Sequence, residues 1–323
     1  MAADLDFERP LIELVSEIEH ARKQLVAKPE RGLSQKIADL EQTLQRRQVE
    51  IFSNLTPWQK VQLARHIQRP RFLDYAHVLF TEFVELHGDR KFGDDHAILG
   101  GLAHFDGQSV MVIGQQKGKS TRENVERNFG MPRPEGYRKA LRLMRMAEKF
   151  RLPVFTFVDT GGASPGLTDE EHGQAWAIAE NLYAMAELRV PLLVTVIGEG
   201  GSGGALGIAL GDRVQMMQYA VYAVASPESC ASITWKDAGH APDAAAQMRV
   251  TAPDLLDLGL IDRIVQEPPG GAHRDAAQAA MLLRQALRQE VADMGNWSHD
   301  VDGLVERRYD RYRRMSRFTE ATG

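Results

Sequence analysis

Two short, nearly continuous apolar runs constrain this fold more than any other feature. They cover Pro153 to Val158 and Pro191 to Ile197, and apolar residues at helical spacing fill Glu171 to Leu188 between them. Such runs are typical of parallel strands buried on both faces. The pattern predicts a βαβ unit with a right-handed crossover, whose functional loops follow the carboxyl ends of the strands. Both runs end in glycine-rich segments, DTGGASPG at 159–166 and GEGGSGGA at 198–205.

The first 55 residues show no strand-like run and carry apolar residues at helical spacing. Two stripes, separated by Pro29 to Gly32, predict an antiparallel helical hairpin that the main body or a second chain must cover. The stripes are Leu11, Leu14, Val15, Ile18 and Leu25, then Leu33, Ile37, Leu40, Leu44 and Ile51. A third helix is predicted to begin after Thr56, because Pro57 and Gln59 complete a capping box. We therefore predict a helical assembly extension at 1–70 and an α/β domain at 71–323.

Within the α/β domain, the dipeptide Asp106-Gly107 lies between the strand-like stretches Ile98–Phe105 and Ser109–Ile113. Asp-Gly supplies the positive φ angles of a type I′ turn, so a β-hairpin is predicted. A helix is predicted from Gly136 to about Phe150, and further helices close the chain.

Composition excludes several classes of protein. With 43% hydrophobic and 26% charged residues the chain predicts a folded core, and a net charge of -5 gives no global nucleic-acid signature. The single cysteine, Cys230, excludes an internal disulfide framework and a four-cysteine zinc site in this chain. No apolar run reaches the roughly 18 to 20 residues of a membrane span, and the acidic N-terminus is unlike a signal peptide. We expect a cytoplasmic protein that does not contact membranes.

The second glycine segment matches two motifs that its context does not support. Gly198, Gly200 and Gly203 fit G-x-G-x-x-G, but the acidic residue expected about 20 positions on is absent, since Asp212 is too early and Glu228 too late. Gly118-Lys119-Ser120 does not complete a phosphate-binding P-loop, because Ile113 occupies the first glycine position.

Ser202 lies in G-x-S-x-G, the motif of a nucleophile elbow. A hydrolase would add Asp254 or Asp257 and then His273 downstream. The surplus of glycine around Ser202 is better explained by backbone N–H groups that approach an anion, so the hydrolase is kept as a remote alternative.

The favoured interpretation is an oxyanion hole at the start of a helix. The backbone N–H groups of Gly203 and Gly204 would meet there with the positive end of the helix dipole. Such donors stabilise negative charge that develops on an oxygen, without a nucleophile or a metal. The alternative is that these glycines only permit close packing between helix and strand.

Five strings of residues stand out from the rest of the chain. They are ELHGDR at 85–90, QKG at 116–118, RNFGMPRPEGYRKALRL at 127–143, VIGEGGSGGAL at 196–206 and PPGGAHRD at 268–275. Together they resemble the alpha subunits of the acetyl-coenzyme A carboxylase carboxyltransferase family. The resemblance runs from about Phe7 to Tyr312 and implies a ClpP/crotonase-like spiral of ββα units behind an N-terminal helical extension. It also implies transfer of a carboxyl group from carboxybiotin to acetyl-CoA, giving malonyl-CoA for fatty-acid biosynthesis.

The resemblance implies specific residues and partners. The amides of Gly203 and Gly204 would hold the ureido oxygen of carboxybiotin. The remaining carboxybiotin-binding residues would be Gly161, Gly162, Ala163, Ser164, Gly200, Gly201 and Ser202. Expected partners are a carboxyltransferase beta subunit in an α2β2 heterotetramer, the biotin carboxyl carrier protein and biotin carboxylase. Zinc and the second oxyanion hole are expected on the beta subunit, and neither metal nor covalent cofactor on this chain.

One loop departs from the family pattern D-T-P-G-A-Y-P-G. Gly161 replaces the proline and Ser164 replaces the aromatic residue, which predicts a looser loop and weaker carboxybiotin binding. His172 stands where many relatives have arginine. A divergent paralogue that acts on another acyl-CoA, or a structural or regulatory subunit, is therefore kept as an alternative.

Several basic residues invite two interpretations. Lys117, Lys119, Arg138 and Arg142 could contact coenzyme A phosphates or an acidic carrier domain, or could be part of a solvated face. The arginines between Arg307 and Arg317 could suggest RNA, but the negative net charge favours a surface helix or partner contact. His273 is expected to anchor backbone rather than transfer protons, because its spacing offers no orienting carboxylate.

Overall fold

A mixed sheet of eight strands forms the centre of the computed structural model, which describes residues 5–28, 31–295 and 297–315. Its strands are β1 (Thr81–Glu85), β2 (Ile98–Phe105), β3 (Gln108–Gln115), β4 (Val154–Thr160), β5 (Leu192–Gly201), β6 (Arg213–Met217), β7 (Val221–Ala223) and β8 (Arg263–Val265). The spatial order is β1-β2-β3-β4-β5-β6-β8, and β7 pairs with β5. Strands β1 to β3 are antiparallel, and the pairs from β3 onward are parallel.

Helices surround this sheet and precede it. They are α1 (Arg9–Ala27), α2 (Arg31–Ser53), α3 (Pro57–Ala64), α4 (Phe72–Leu79), α5 (Thr121–Glu126), α6 (Pro134–Phe150), α7 (Leu167–Glu171), α8 (Gln174–Glu187), α9 (Ser202–Leu206), α10 (Pro227–Thr234), α11 (Ala241–Met248), α12 (Ala252–Asp257), α13 (Ala276–Met294) and α14 (Val301–Arg313). None of the helices in the described ranges is both long enough and apolar enough to cross a bilayer.

The predicted βαβ unit is present in β4, α8 and β5. Every residue of β4 is buried, and so are the first seven residues of β5, as expected for strands covered on both faces. The strand β5 continues through Gly201, beyond the predicted end at Ile197. A register shift between Val158 and Thr160 bends β4 immediately before its glycine loop.

The β2–β3 hairpin forms at the predicted turn. Asp106 has a φ of 48° and Gly107 a φ of 83°, the positive angles that a type I′ turn requires. The capping box before α3 also forms, since the Thr56 side chain accepts from the Gln59 backbone and the Gln59 side chain from the Thr56 backbone.

The helix predicted over 171–188 is present as α8, but it begins three residues later, at Gln174. A separate short helix, α7, ends at Glu171, and Gly173 at the break between the two has a φ of 83°. A residue in the left-handed region interrupts the α-helical hydrogen-bond ladder, which apolar spacing alone does not reveal.

The N-terminal hairpin forms from α1 and α2. Ile18, Ala21 and Ile37 are buried between the two helices. At the other end, Leu11 and Phe52 pack with Leu55, with Leu63 of α3 and with Tyr219 of the main body. The body therefore covers one end of the hairpin, whereas Val15, which belongs to the predicted stripe, is 41% exposed. The predicted break at Pro29 lies outside the described residues.

Buried arginines attach the C-terminal helix α14 to the sheet. Arg308 is 1% exposed, forms two hydrogen bonds with Asp212 and donates to the carbonyls of Met185, Leu188 and Val190. Arg311 pairs with Asp262. These contacts show that two of the C-terminal arginines stabilise the fold; Arg317 lies outside the described residues.

Candidate functional site

The two glycine loops that follow β4 and β5 lie against each other. A Cβ atom added to Gly201 would lie 2.3 Å from the Gly161 carbonyl oxygen, and one added to Gly204 would lie 2.3 Å from the Ala163 nitrogen. Real Cβ atoms do not approach backbone so closely, so only glycine fits at 201 and 204. The structure therefore brings together the two segments that the sequence pattern separates by about 40 residues.

The helix α9 begins directly at Ser202. Gly201 provides no side-chain cap, so the amides of the first turn, including those of Gly203 and Gly204, have no capping side chain. The carbonyl oxygen of Gly204 accepts hydrogen bonds from Gln115 Nε2 at 2.8 Å and Tyr137 Oη at 2.9 Å. These two buried donors fix the orientation of the glycine segment.

Ser202 itself has a φ of 57°, which is unusual for a residue other than glycine or asparagine. A serine held in this region marks a sharp turn from strand into helix, and such strain is concentrated at functional sites. The sequence motif around Ser202 indicated this turn but not its conformation.

An apolar cavity of about 390 Å³ opens beside the start of α9. Ser202 and Gly203 line it together with Tyr222 of β7 and Tyr312 of α14. Its other lining residues are Leu182, Leu206, Ala209, Leu210, Val214, Ala223, Val224, Leu255, Leu260 and Met315. A small, largely apolar cavity with a few polar groups in its lining has the character of a ligand site.

The remaining predicted residues of the first loop face in other directions. Ser164 is 5% exposed, and its hydroxyl donates to Asp169 while its N–H donates to the Pro132 carbonyl at 2.9 Å. Gly161, with Gly200 and Gly201, borders a narrow cleft next to Arg65 and Glu199. The predicted carboxybiotin residues are therefore only partly brought together. Ser202 and Gly203 line the apolar cavity, Gly161, Gly200 and Gly201 border the cleft, and Gly162, Ala163, Ser164 and Gly204 line neither.

A buried cluster of charged side chains lies beneath both loops. The sequence patterns did not predict that these side chains meet. Lys117 Nζ contacts Asp159 Oδ1 at 2.8 Å and Glu199 Oε2 at 2.6 Å. Arg71 Nη1 contacts Asp159 Oδ2 at 3.2 Å, and Arg65 Nε contacts Glu199 Oε1 at 2.6 Å. The only sequence signal was that Asp159 and Glu199 each follow a buried strand.

The cluster keeps its members charged. Burial alone would raise the pKa of the Glu199 carboxyl, but Lys117 and Arg65 outweigh it and lower that pKa to about 2. Burial alone would lower the pKa of Lys117, but Asp159 and Glu199 outweigh it and raise that pKa. Lys117 is therefore a buried, paired ammonium, which the structure does not offer to an anion at the surface.

The other basic candidates also have partners within the chain. Lys119 pairs with Asp74 at 2.6 Å, and Arg138 with Asp89 at 2.8 Å. Arg142 donates to the carbonyls of Leu86, His87 and Gly88. Contacts of these side chains with coenzyme A or with a carrier domain stay a prediction. Their partners within the chain account for the positions of Lys119, Arg138 and Arg142 without a ligand or a carrier domain.

His172 lies beside the same loop system. Its Nδ1 is 3.1 Å from Glu135 Oε1. Its ring packs edge to face against that of Phe92, with 4.2 Å between the ring centroids. Its carbonyl accepts a hydrogen bond from Arg138 at 3.0 Å. The residue therefore links α7 to α6.

The hydrolase alternative lacks its geometry in the described part of the chain. Asp254 caps α12 through Thr251, and Asp257 pairs with Arg249. His273 Nε2 lies 3.0 Å from Glu8 Oε1. None of these three lines the cavity beside Ser202, so no general base reaches that hydroxyl from them.

The expectation that His273 has no carboxylate partner is wrong. Glu8 supplies one from the N-terminal segment, and Arg274 donates to the same carboxylate oxygen at 2.7 Å. His66 completes a buried group whose ligand atoms lie within 4.8 Å, the one set in the described ranges with a geometry that could hold a metal ion. Arg274 already balances the Glu8 charge, and the group joins the N-terminal segment to the body.

Most of the chain matches one protein family. The family model described as acetyl co-enzyme A carboxylase carboxyltransferase-like matches residues 4–316. The chain belongs to this family. It is 56% identical over 319 residues to the acetyl-coenzyme A carboxylase carboxyl transferase subunit alpha of Bordetella avium, covering 99% of this chain and 98% of that protein. It is 55% identical to the subunit of the same name from Geobacter metallireducens, covering 98% of each.

Solved structures support the fold. A Pseudomonas malonate decarboxylase hetero-tetramer in complex with coenzyme A aligns with a TM-score of 0.57 and 19% identity, over 75% of this chain and 97% of that one. The transcarboxylase 12S hexamer aligns with a TM-score of 0.53 and 20% identity, over 68% and 44%. The predicted crotonase-like α/β fold and the family predicted from the residue strings are both confirmed.

Proposed function

We propose that this chain forms the carboxybiotin half of the active site of an acetyl-CoA carboxylase carboxyltransferase. Its family supplies the reaction, in which the carboxyl group of carboxybiotin passes to acetyl-CoA and malonyl-CoA is formed. The observation that carries the proposal for the site is the apolar cavity beside Gly203, at the uncapped first turn of α9. The cavity suits the ring system and chain of biotin, and the amides suit its ureido oxygen.

The chemistry asked of this chain is stabilisation of charge. When the bond between the ureido nitrogen and the carboxyl carbon breaks, the electron pair returns to the ureido group and negative charge develops on its oxygen. Two aimed N–H donors lower the barrier to that step, and loss of one such donor typically costs about 3 kcal/mol. Gln115 and Tyr137 support these donors, because both side chains donate hydrogen bonds to the Gly204 carbonyl and so fix the backbone that carries the N–H groups.

The remaining assignments follow from the same family. We propose a beta subunit as the partner that binds acetyl-CoA and carries zinc, and a biotin carrier protein as the source of the carboxyl group. The helical hairpin at the N-terminus would serve assembly of the α2β2 complex, and the complex would work in the cytoplasm with biotin carboxylase.

Gly204→Ala tests the site directly. The added methyl would overlap the backbone at Gly162 and Ala163, so it should separate the loops and reduce carboxyl transfer by about 100-fold. We would measure the reverse reaction, from malonyl-CoA to free biocytin, with the co-expressed beta subunit. Gly203→Ala meets only Ile178 Cδ1 at 3.9 Å, so it should fold normally and raise the KM for biocytin by narrowing the cavity.

Gly32→Ala is the control, because a Cβ atom at that position in α2 meets no atom within 4 Å. It should leave transfer unchanged. Wild-type activity in Gly204→Ala would contradict the assignment of the glycine segment. A wild-type chain that assembles with a beta subunit but transfers nothing would favour the alternative of a structural or regulatory subunit.

A further inference from the structure

Three buried charges connect the two strands that carry the glycine loops. Asp159 lies at the end of β4, one residue before Thr160, and Glu199 lies near the end of β5. Both carboxylates contact the same ammonium group, that of Lys117, just beyond the end of β3. The side chains of Asp159 and Glu199 are 1% and 15% exposed, so water contributes little to screening them.

The backbone is shaped around this contact. Asp159 Oδ1 also accepts from the N–H of Glu199 at 3.1 Å, and a Cβ atom on Gly198 would lie 2.5 Å from that oxygen. A Cβ atom on Gly130 would lie 2.4 Å from Lys117 Cγ, so a glycine also makes room for the lysine stem. These close approaches leave the ammonium little alternative position.

We propose that Lys117 is a positioning residue, which clamps the ends of β4 and β5 and so sets the spacing between the loops at 161–163 and 201–204. This inference rests on the proposed function, because it takes those loops as the carboxybiotin site. Arg71 also pairs with Asp159 at 3.2 Å, and Arg65 pairs with Glu199 at 2.6 Å, but within the described residues only the Lys117 ammonium contacts both carboxylates. Without it, each carboxylate would keep its arginine, and the bridge between the two strand ends would be lost. The two carboxylates, which Arg71 and Arg65 compensate only one at a time, would then repel each other across the gap, and the contact between Gly204 and Ala163 would open.

Lys117→Met is the primary test, because it keeps the length of the stem and removes the charge. We expect kcat/KM for biocytin to fall on the order of 100-fold, as small misplacements of reacting groups do, with the KM for malonyl-CoA unchanged. A general loss of folded enzyme would instead lower kcat alone. Hydrogen exchange at 160–166 and 200–204 should become faster, which is a readout that needs no activity.

The double variant Lys117→Met with Glu199→Gln removes the opposed charge as well. If repulsion opens the loops, kcat/KM of the double variant should be at least tenfold higher than that of Lys117→Met, although each substitution removes an ion pair. The Lys117→Met variant should also gain activity as the pH falls, because Glu199 loses the largest of the charges that lower its pKa, although Arg65 stays beside it. Failure of both effects would overturn the clamp.

Lys139→Met is the matched control. Lys139 is also fully buried and paired, with Asp94 and with the Asp95 carbonyl, but it does not touch either glycine loop. Its loss should lower stability without changing the KM for biocytin, and an equal effect on both lysines would contradict the proposal. A wild-type complex without transfer activity would refute the proposed function, whereas hydrogen exchange would still test the clamp.

Discussion

The space around a Cβ position decides which residues can occupy each place in the two glycine loops. Gly201 and Gly204 have backbone within 2.3 Å of a Cβ position, whereas Gly161 has no atom within 4 Å. Packing does not require glycine at 161, so the replacement of the family's proline by Gly161 changes the backbone freedom of the loop and not its fit. Ser164, at the position of the family's aromatic residue, is buried against Asp169 and does not line the cavity. The predicted weakening of carboxybiotin binding remains a prediction.

His66 gives a prediction about pH at the same scale. Burial, then the charges of His273, Arg274 and Arg71, lower its pKa to about 4, and Glu8 opposes them. The unfolded chain, with a pKa near 6.5, takes up the proton first, so stability is lost as the pH falls below 6.5. We expect His66 to lower the free energy of unfolding by about 2 kcal/mol when the pH falls from 7 to 5.

Urea unfolding of wild type and His66→Asn at both pH values checks this expectation. Asparagine keeps an acceptor for the Gln68 N–H that His66 Nδ1 now binds. The difference between the two proteins is the informative quantity, because Asp95, whose pKa burial raises to about 6, changes stability in the opposite direction over this range. Parallel pH curves for the two proteins would show that His66 is not responsible.

At the scale of elements, the N-terminal hairpin depends on a few aromatic contacts with the body. Phe52 at the end of α2 packs edge to face against Phe7 at 6.2 Å and Tyr219 at 5.7 Å between ring centroids. Glu8 adds the polar contact with His273 and Arg274. The remaining length of the hairpin is stabilised by the contact between α1 and α2 themselves.

Phe52→Ala should therefore loosen the hairpin at its attached end. Truncation of a buried phenylalanine costs about 3–5 kcal/mol, and the loss should appear as faster hydrogen exchange in α1 and α2 with α6 unchanged. Val49→Ala on the same helix is the control, since Val49 is 66% exposed and should change stability by less than about 0.5 kcal/mol. Equal protection of α1 and α2 in Phe52→Ala and wild type would disprove the attachment.

At the scale of the whole molecule, the described part of this chain supplies hydrogen-bond donors to the cavity but no acid or base. The lining residues are apolar apart from the hydroxyls of Ser202, Tyr222 and Tyr312. Burial raises the pKa of Tyr222, and of Tyr312 as well, so neither is a base near neutral pH. On the proposed function, we therefore expect activation of an acyl-CoA to come from the substrates or from another subunit.

We accordingly expect the purified chain to transfer no carboxyl group from malonyl-CoA to biocytin above background. Addition of a beta subunit should produce activity that saturates at a fixed ratio of the two chains, with a larger complex on size exclusion at the same ratio. Full activity of this chain alone would show that the site is complete without a partner.

The sequence by itself determined the local features of this protein. Apolar runs specified β4 and β5, Asp106-Gly107 specified the β2–β3 turn, and Thr56 to Gln59 specified the start of α3, because each depends on residues adjacent along the chain. Residue strings also identified the family and, through it, the crotonase-like fold. The break at Gly173 escaped prediction because apolar spacing does not report the sign of φ.

Only the tertiary structure decided which distant residues meet. Lys117 is charged and follows a strand, so the sequence permitted a surface contact with an anion, yet the fold buries it between Asp159 and Glu199. Glu8 meets His273 across 265 positions of the chain. Charge pairing and close backbone packing depend on how strands and loops converge in space, and neither periodicity nor motif spacing records that convergence.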